Sequence, residues 1–89
     1  MKRRRLVLVG RVQGVGLRYL IAKKARANSL VGFVANLPDG QVAAEIQGNA
    51  AAIDNFTQWL QTSPGWSKID NLTYQDIALT DDKIFTIHD

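Results

Sequence analysis

The run Leu6-Val7-Leu8-Val9 is apolar at four successive positions. Side chains alternate between the two faces of a strand, so a run without alternation carries apolar groups on both faces and suits a strand inside a sheet. It is far short of the roughly 20 residues a helix needs to cross a bilayer. We expect a strand from Arg5 to Val12 and a fold organised around it. The chain has 89 residues and no cysteine. Disulfides, thiolate metal sites and thiol nucleophiles are therefore excluded, and one hydrophobic core must hold the chain, which we read as a single domain over residues 1–89. With 46% hydrophobic and 21% charged residues the composition is that of a globular protein and not of a disordered one.

The other elements follow from pattern. Gln13-Gly14-Val15-Gly16 is a glycine-punctuated turn. Leu17 to about Ala27 reads as a helix, with Leu17, Leu20, Ile21 and Ala25 on one stripe. Asn28 and Ser29 end it, Asn28 being the residue that tolerates a left-handed backbone. Val31 to Asn36 is a second strand, and Leu37-Pro38-Asp39-Gly40 has turn chemistry. Gln41 to Gln47 alternates Val42, Ala44 and Ile46 against Gln41, Glu45 and Gln47, which completes a hairpin. Asn49 caps a second helix running to about Gln61, with Ile53, Phe56 and Leu60 inward and Trp59 at the margin. Ser63-Pro64-Gly65 stops it. Strands are expected over Ile69 to Leu79 and Ile84 to His88. The order is βαββαβ plus a short last strand. An antiparallel sheet covered by two helices on one face follows, an α+β, ferredoxin-like sandwich.

Charge is distributed unevenly. Residues 1–38 hold nine of the eleven basic residues and no acid, whereas residues 39–89 hold all eight acids with Lys68 and Lys83. Either the first half meets an anionic partner, or opposite signs meet within the fold. The start, Met1-Lys2-Arg3-Arg4-Arg5, has the charge of a secretory leader, but Gly10 and Arg11 interrupt the apolar run too soon, so a soluble, cytoplasmic protein is expected. The lack of cysteine suits a reducing compartment.

Two places could carry chemistry. Gln13 to Arg18 joins a strand end to a helix start, where backbone N–H groups lack intrahelical partners and carry partial positive charge. Gly14 and Gly16 let the chain wrap an anion, and Arg18, in the first helical turn, can offer a bidentate fork to phosphate oxygens. The Walker lysine and the GxGxxG spacing are absent. The same residues also suit a plain strand–helix turn with Arg18 in solvent. Asn36, before the turn, either caps backbone or orients a water. His88 reads as a surface residue. Asp39, Asp81 and Asp82 read as turn residues and not as a metal cluster, and no Ser-His-Asp or paired-carboxylate set can be argued. Phe33, Trp59, Trp66, Tyr74 and Phe85 read as core or rim packing.

Leu8-Val9-Gly10-Arg11-Val12-Gln13-Gly14-Val15-Gly16-Leu17-Arg18 resembles the first signature of the acylphosphatase family. Gly32-Phe33-Val34-Ala35-Asn36-Leu37-Pro38-Asp39-Gly40-Gln41-Val42, closing at Gly48, resembles the second, and the likeness extends along the whole chain. It implies hydrolysis of the carboxyl–phosphate bond of compounds such as acetyl phosphate, carbamoyl phosphate and 1,3-bisphosphoglycerate, with Arg18 on the phosphate, the backbone amides of Gln13, Gly14, Val15, Gly16 and Leu17 beside it, and Asn36 placing the water. The family usually has an aromatic residue before the arginine. Leu17 stands there in this chain, and a packing change beneath the loop is expected from it.

Such a reaction asks for little machinery. The leaving carboxylate has a conjugate acid of pKa about 4 and departs without a general acid. Phosphoryl transfer passes through a loose transition state, so a strong base is not required. No cofactor or metal is expected, and inorganic phosphate, the product, should compete for the site. We expect a monomer that neither inserts in a membrane nor takes nucleic acid as a partner. The rival readings are a catalytically silent phosphate-ligand domain and a nucleic-acid-binding module built on the basic Lys2–Arg5 run.

Overall fold

A computed structural model describes residues 1–88. Its elements are β1 (Lys2–Arg11), α1 (Leu17–Ala27), β2 (Val31–Asn36), β3 (Val42–Gly48), α2 (Ala50–Leu60), β4 (Lys68–Ile77) and β5 (Phe85–His88). One sheet runs in the order β4-β1-β3-β2-β5. β1 is interior, as its apolar run predicts, but Leu6 and Leu8 are fully buried while Val7 is half-buried and Val9 exposed. Apolar groups occupy both faces of this strand, and only one face is sealed.

The sealed face is the core. Leu6, Leu8, Val34, Val42, Ala44 and Ile46 of the strands pack with Leu17, Ile21 and Ala25 of α1 and Ile53, Phe56 and Leu60 of α2 in one cluster. α1 lies against β2 and β5, and α2 against β1 and β3. Asn49 caps α2 as expected, its side chain accepting from the Ala51 N–H at 2.9 Å. The end of α1 differs from expectation: Asn28 keeps a negative φ, and Ser29 takes the left-handed backbone at φ 57°. With Ser29 in that conformation the Leu30 N–H reaches the Ala25 carbonyl at 2.9 Å and the Ser29 N–H the Arg26 carbonyl at 3.2 Å, and the Asn28 side chain donates to the Lys24 carbonyl at 2.7 Å, so the last carbonyls of the helix are satisfied. Trp66 is 85% exposed and packs in neither core nor rim; nothing in the fold accounts for it.

β1 begins at Lys2, three residues before its expected start, because its charged residues meet partners on neighbouring strands. Arg3 lies opposite Gln47 on β3 and Arg4 opposite Asp76 on β4. Arg3 is 2% exposed. It pairs with Glu45 at 2.9 Å and Asp82 at 3.1 Å, and donates to Thr80 at 3.0 Å and Gln47 at 3.3 Å. On the helix side Arg4 pairs with Asp76 at 2.7 Å and Asp54 at 3.2 Å, donates to Thr57 at 3.1 Å and stacks 4.2 Å from the Tyr74 ring centre. Its hydrogen bond to Asp76 is the largest cause that lowers the Asp76 carboxyl below its usual range. Lys2 also pairs with Asp76, and Arg5 with Glu45. The basic beginning of the chain and the acids of its second half therefore meet inside the fold.

β5 is the departure from an antiparallel sheet, since it pairs with β2 in parallel. β4 and β5 occupy opposite edges, so residues 78–84 must pass four strand spacings, roughly 19 Å, at the end of the sheet where β4 stops. The eight Cα–Cα steps from Ile77 to Phe85 reach at most about 28 Å, too short to cross the sheet and also run back along it, so this strap must deliver β5 at the same end. β5 then runs the same way as β2. Arg3 and Gln47 fasten the strap through Thr80 and Asp82, with the Thr80 N–H donating to Gln47 at 2.9 Å. No helix among the described residues is long and apolar enough to cross a membrane.

Candidate active site

The ends of β1, β2 and β5 and the start of α1 surround a cleft of about 230 Å³. That is below the roughly 300–1,000 Å³ of pockets for drug-sized ligands and suits a small phosphate compound better than a nucleotide. Gly14 and Gly16 line it, with φ values of 72° and 75°. An L side chain would be strained at both, and a Cβ built there would meet nothing within 4 Å, so the space over the loop is open to a ligand. Gly16 also stands at the cap position of α1. No side chain caps that helix start and its first turn holds no acid, so the positive end of the helix is not already neutralised. The first intrahelical bond runs from the Leu20 N–H to the Gly16 carbonyl at 3.2 Å.

Arg18 is the second residue of α1 and lines the cleft beside this loop. It donates a hydrogen bond from Nη1 to the His88 carbonyl oxygen of β5. Asn36 reaches the same cleft from the end of β2. Its Oδ1 is buried and has no hydrogen-bond partner among the described residues. A buried acceptor left unpaired costs about 1–3 kcal/mol, and a site that supplies a donor only when occupied is one way such a cost persists.

Not every residue of the loop faces the cleft. Leu17 lines it from beneath and is 1% exposed, so the residue in the place of the usual aromatic is part of the core floor. Val15 is half-buried and packs against the core, and it does not line the cleft. The Gln13 side chain is engaged with the β2–β3 turn, where Nε2 donates to the carbonyls of Leu37 and Gln41. Any share Gln13 and Val15 have in holding a ligand must come from backbone.

Three lining residues escaped the sequence reading: Val12, Tyr19 and Ile87. Tyr19 is 63% exposed and Ile87 40%, and together they make an apolar rim next to Arg18. Ile87 could not be placed without knowing that β5 adds beside β2. His88 is exposed, as expected, yet it has partners: its ring stacks on Phe33 with centroids 4.7 Å apart. No carboxylate or imidazole is among the cleft-lining residues, and no three His, Asp or Glu side chains gather among the described residues in a way that could hold a metal.

Comparison with known proteins agrees with this geometry. Residues 4–87 match the family model described as Acylphosphatase. An acylphosphatase of Acaryochloris marina is 36% identical over 81 residues, 91% of this chain and 87% of the relative. One of Methylococcus capsulatus is 38% identical over 80 residues, 90% of this chain and 87% of the relative. The crystal structure of acylphosphatase from Bacillus subtilis superposes with a TM-score of 0.95 at 30% identity, covering 99% of both chains. With both signature segments meeting in one cleft and the likeness running nearly end to end, the chain belongs to the acylphosphatase family.

Proposed function

We propose that this chain is a single-domain, monomeric, cytoplasmic acylphosphatase that hydrolyses the carboxyl–phosphate bond without a metal or cofactor. In this reading Arg18 and the amides of residues 13–17 take the phosphate oxygens, and Asn36 orients the attacking water. The water attacks phosphorus, the bond from phosphorus to the acyl oxygen breaks, and the carboxylate leaves with the electron pair. The water's proton passes to a phosphate oxygen. The observation that carries the reading is the convergence of Arg18 and Asn36, from separate segments, on one small cleft in which the Asn36 Oδ1 meets no donor among the described residues. The guanidinium and helix-start amides supply charge stabilisation, and the asparagine supplies position, which together are what a loose transition state with a good leaving group requires. The one contiguous buried cluster supports a single domain, and the absence of cysteine suits the reducing compartment.

The basic residues that would have served a nucleic-acid interface, Lys2 to Arg5, are engaged in internal ion pairs at the other end of β1. The test is hydrolysis of benzoyl phosphate and acetyl phosphate in the presence of EDTA, with inorganic phosphate as a competitor. Turnover that survives the chelator and is inhibited competitively by phosphate is expected. A well-folded protein that turns over neither substrate, or needs a divalent cation to do so, would refute the proposal.

A further inference from the structure

The two halves of the cleft come from segments far apart in sequence, and one side chain ties them together. Gln13 Nε2 donates to the Leu37 carbonyl at 2.9 Å and to the Gln41 carbonyl at 2.8 Å. These carbonyls flank the neck of the β2–β3 turn. Leu37 N–H donates to Gln41 O at 2.8 Å and Gly40 N–H to Leu37 O at 3.2 Å, so Gln13 adds a second donor to each acceptor of a turn that is already closed. The neck sits directly beyond Asn36, which pairs with Val42 in the hairpin register. Gln13 itself opens the loop that leads through Gly14 and Gly16 to Arg18.

We infer that Gln13 is a positioning residue: its amide nitrogen fastens the hairpin neck to the phosphate loop and so sets where the Asn36 side chain stands relative to a phosphate held at Arg18. This rests on Asn36 as the group that places the water. A primary amide suits the task because one nitrogen carries two N–H donors at a fixed angle, one for each carbonyl. Glutamate has the same shape and no donor when ionised, so it would face two carbonyl oxygens with a negative charge. The gain from such a clamp is positional, since a displacement near 1 Å of a positioning group can cost about 100-fold in rate.

The test is a double-mutant cycle on benzoyl phosphate with Gln13→Ala, Gln13→Glu, Asn36→Ala and the combinations, assayed at high enzyme concentration so that residual rates are measured. Thermal melts accompany each variant. Gln13→Ala should lower kcat by about 10- to 100-fold while the inhibition constant of inorganic phosphate changes by no more than about twofold. Gln13→Glu keeps the volume and should lose at least as much. In the Asn36→Ala background either change should alter the residual kcat by no more than about twofold, because the group being positioned is gone. A merely structural role would lower the melting temperature without this loss of additivity. The inference is overturned if folded Gln13→Ala and Gln13→Glu keep wild-type kcat, if phosphate affinity falls in step with kcat, or if the kcat loss repeats in full on top of Asn36→Ala. Should Asn36→Ala alone retain normal turnover, the reading of Asn36 fails and this inference falls with it. That outcome is distinguishable, because in the other failures Asn36→Ala is inactive.

Discussion

Asn36→Ala should move activity and stability in opposite directions. Removing one preorganised group that acts in the transition state costs about 100- to 1,000-fold in kcat, equivalent to about 3–4 kcal/mol. The stability side follows from the unpaired Oδ1. An orphaned buried acceptor costs about 1–3 kcal/mol, and alanine removes it. Against that stands the lost packing of the partly buried amide, on the order of 1 kcal/mol. The net expectation is a variant no less stable than wild type and up to about 2 kcal/mol more so, which at about 4–8 °C per kcal/mol in a domain of this size is a rise of up to about 8–16 °C in Tm. Steady-state kinetics on benzoyl phosphate with EDTA, phosphate inhibition and a thermal melt on the same preparations read all three quantities, and phosphate inhibition should be retained. Turnover within a few-fold of wild type would refute the role given to Asn36. A Tm several degrees lower, alongside lost turnover, would refute the energetic argument instead, because Asn36 would then be holding the hairpin.

The other predictions concern charge. Arg18→Lys should fail to restore phosphate inhibition, because a point charge cannot reproduce the planar two-pronged fork; a near-wild-type inhibition constant would show that charge alone suffices. Arg3→Ala breaks a pair in which the guanidinium is 2% exposed, and a loss of about 3 kcal/mol is expected, the low end for a broken buried pair because Arg5 still reaches Glu45. Chemical denaturation checks it, and a loss below about 1 kcal/mol would mean that the network contributes little beyond its desolvation cost. The Asp76 carboxyl is held below its usual range chiefly by its hydrogen bond from Arg4. Its contribution is therefore complete above the ordinary carboxylate pKa of about 3.9 and is lost as pH falls below that, through the depressed folded value. Asp76→Asn should flatten the acid limb of the stability–pH curve. An unchanged limb, measured by denaturation between about pH 5 and pH 2, would show that other carboxylates govern acid unfolding.

What could be seen in the sequence was whatever depends on near neighbours. Ile53, Phe56 and Leu60 repeat at helical spacing and Asn49 precedes them, so α2 and its cap need no tertiary knowledge. The same holds for α1 and for the hairpin around Leu37-Pro38-Asp39-Gly40. Arg18 and Asn36 stood out as candidates through the two signature segments and the chemistry of a strand–helix loop, and the fold brings both to one cleft. The start of β1 was not visible, because four consecutive charged residues, Lys2 to Arg5, carry no strand pattern unless Glu45, Asp76 and Asp82 are known to lie beside them. Ile87, Tyr19 and the side-chain bonds of Gln13 were hidden for the same reason. Ile87 depends on the direction of β5, which depends on where β4 ends, and the bonds of Gln13 go to carbonyls 24 and 28 residues away. A hydrogen bond to backbone leaves no residue type at its far end to be recognised.

The placement of charge in this fold explains how so basic a first half can serve a site with one guanidinium. β1 is ten residues long, and at about 3.3 Å per residue it separates the Arg3–Arg5 cluster from the loop of residues 13–18 by roughly 25 Å, well beyond the screening length of about 8 Å at physiological ionic strength. The cluster therefore adds little to the field at the cleft, and its pairing with carboxylates reduces that field further. What it can transmit is geometry. Arg3 fastens the strap, the strap delivers β5, and β5 brings Ile87 to the rim and the His88 carbonyl to Arg18. Loosening the strap should therefore disturb the orientation of Arg18 before it changes the electrostatics of the site. In an Arg3→Ala protein that is still folded, weaker phosphate inhibition should persist when salt is raised, whereas a loss of long-range attraction would be erased by the same salt.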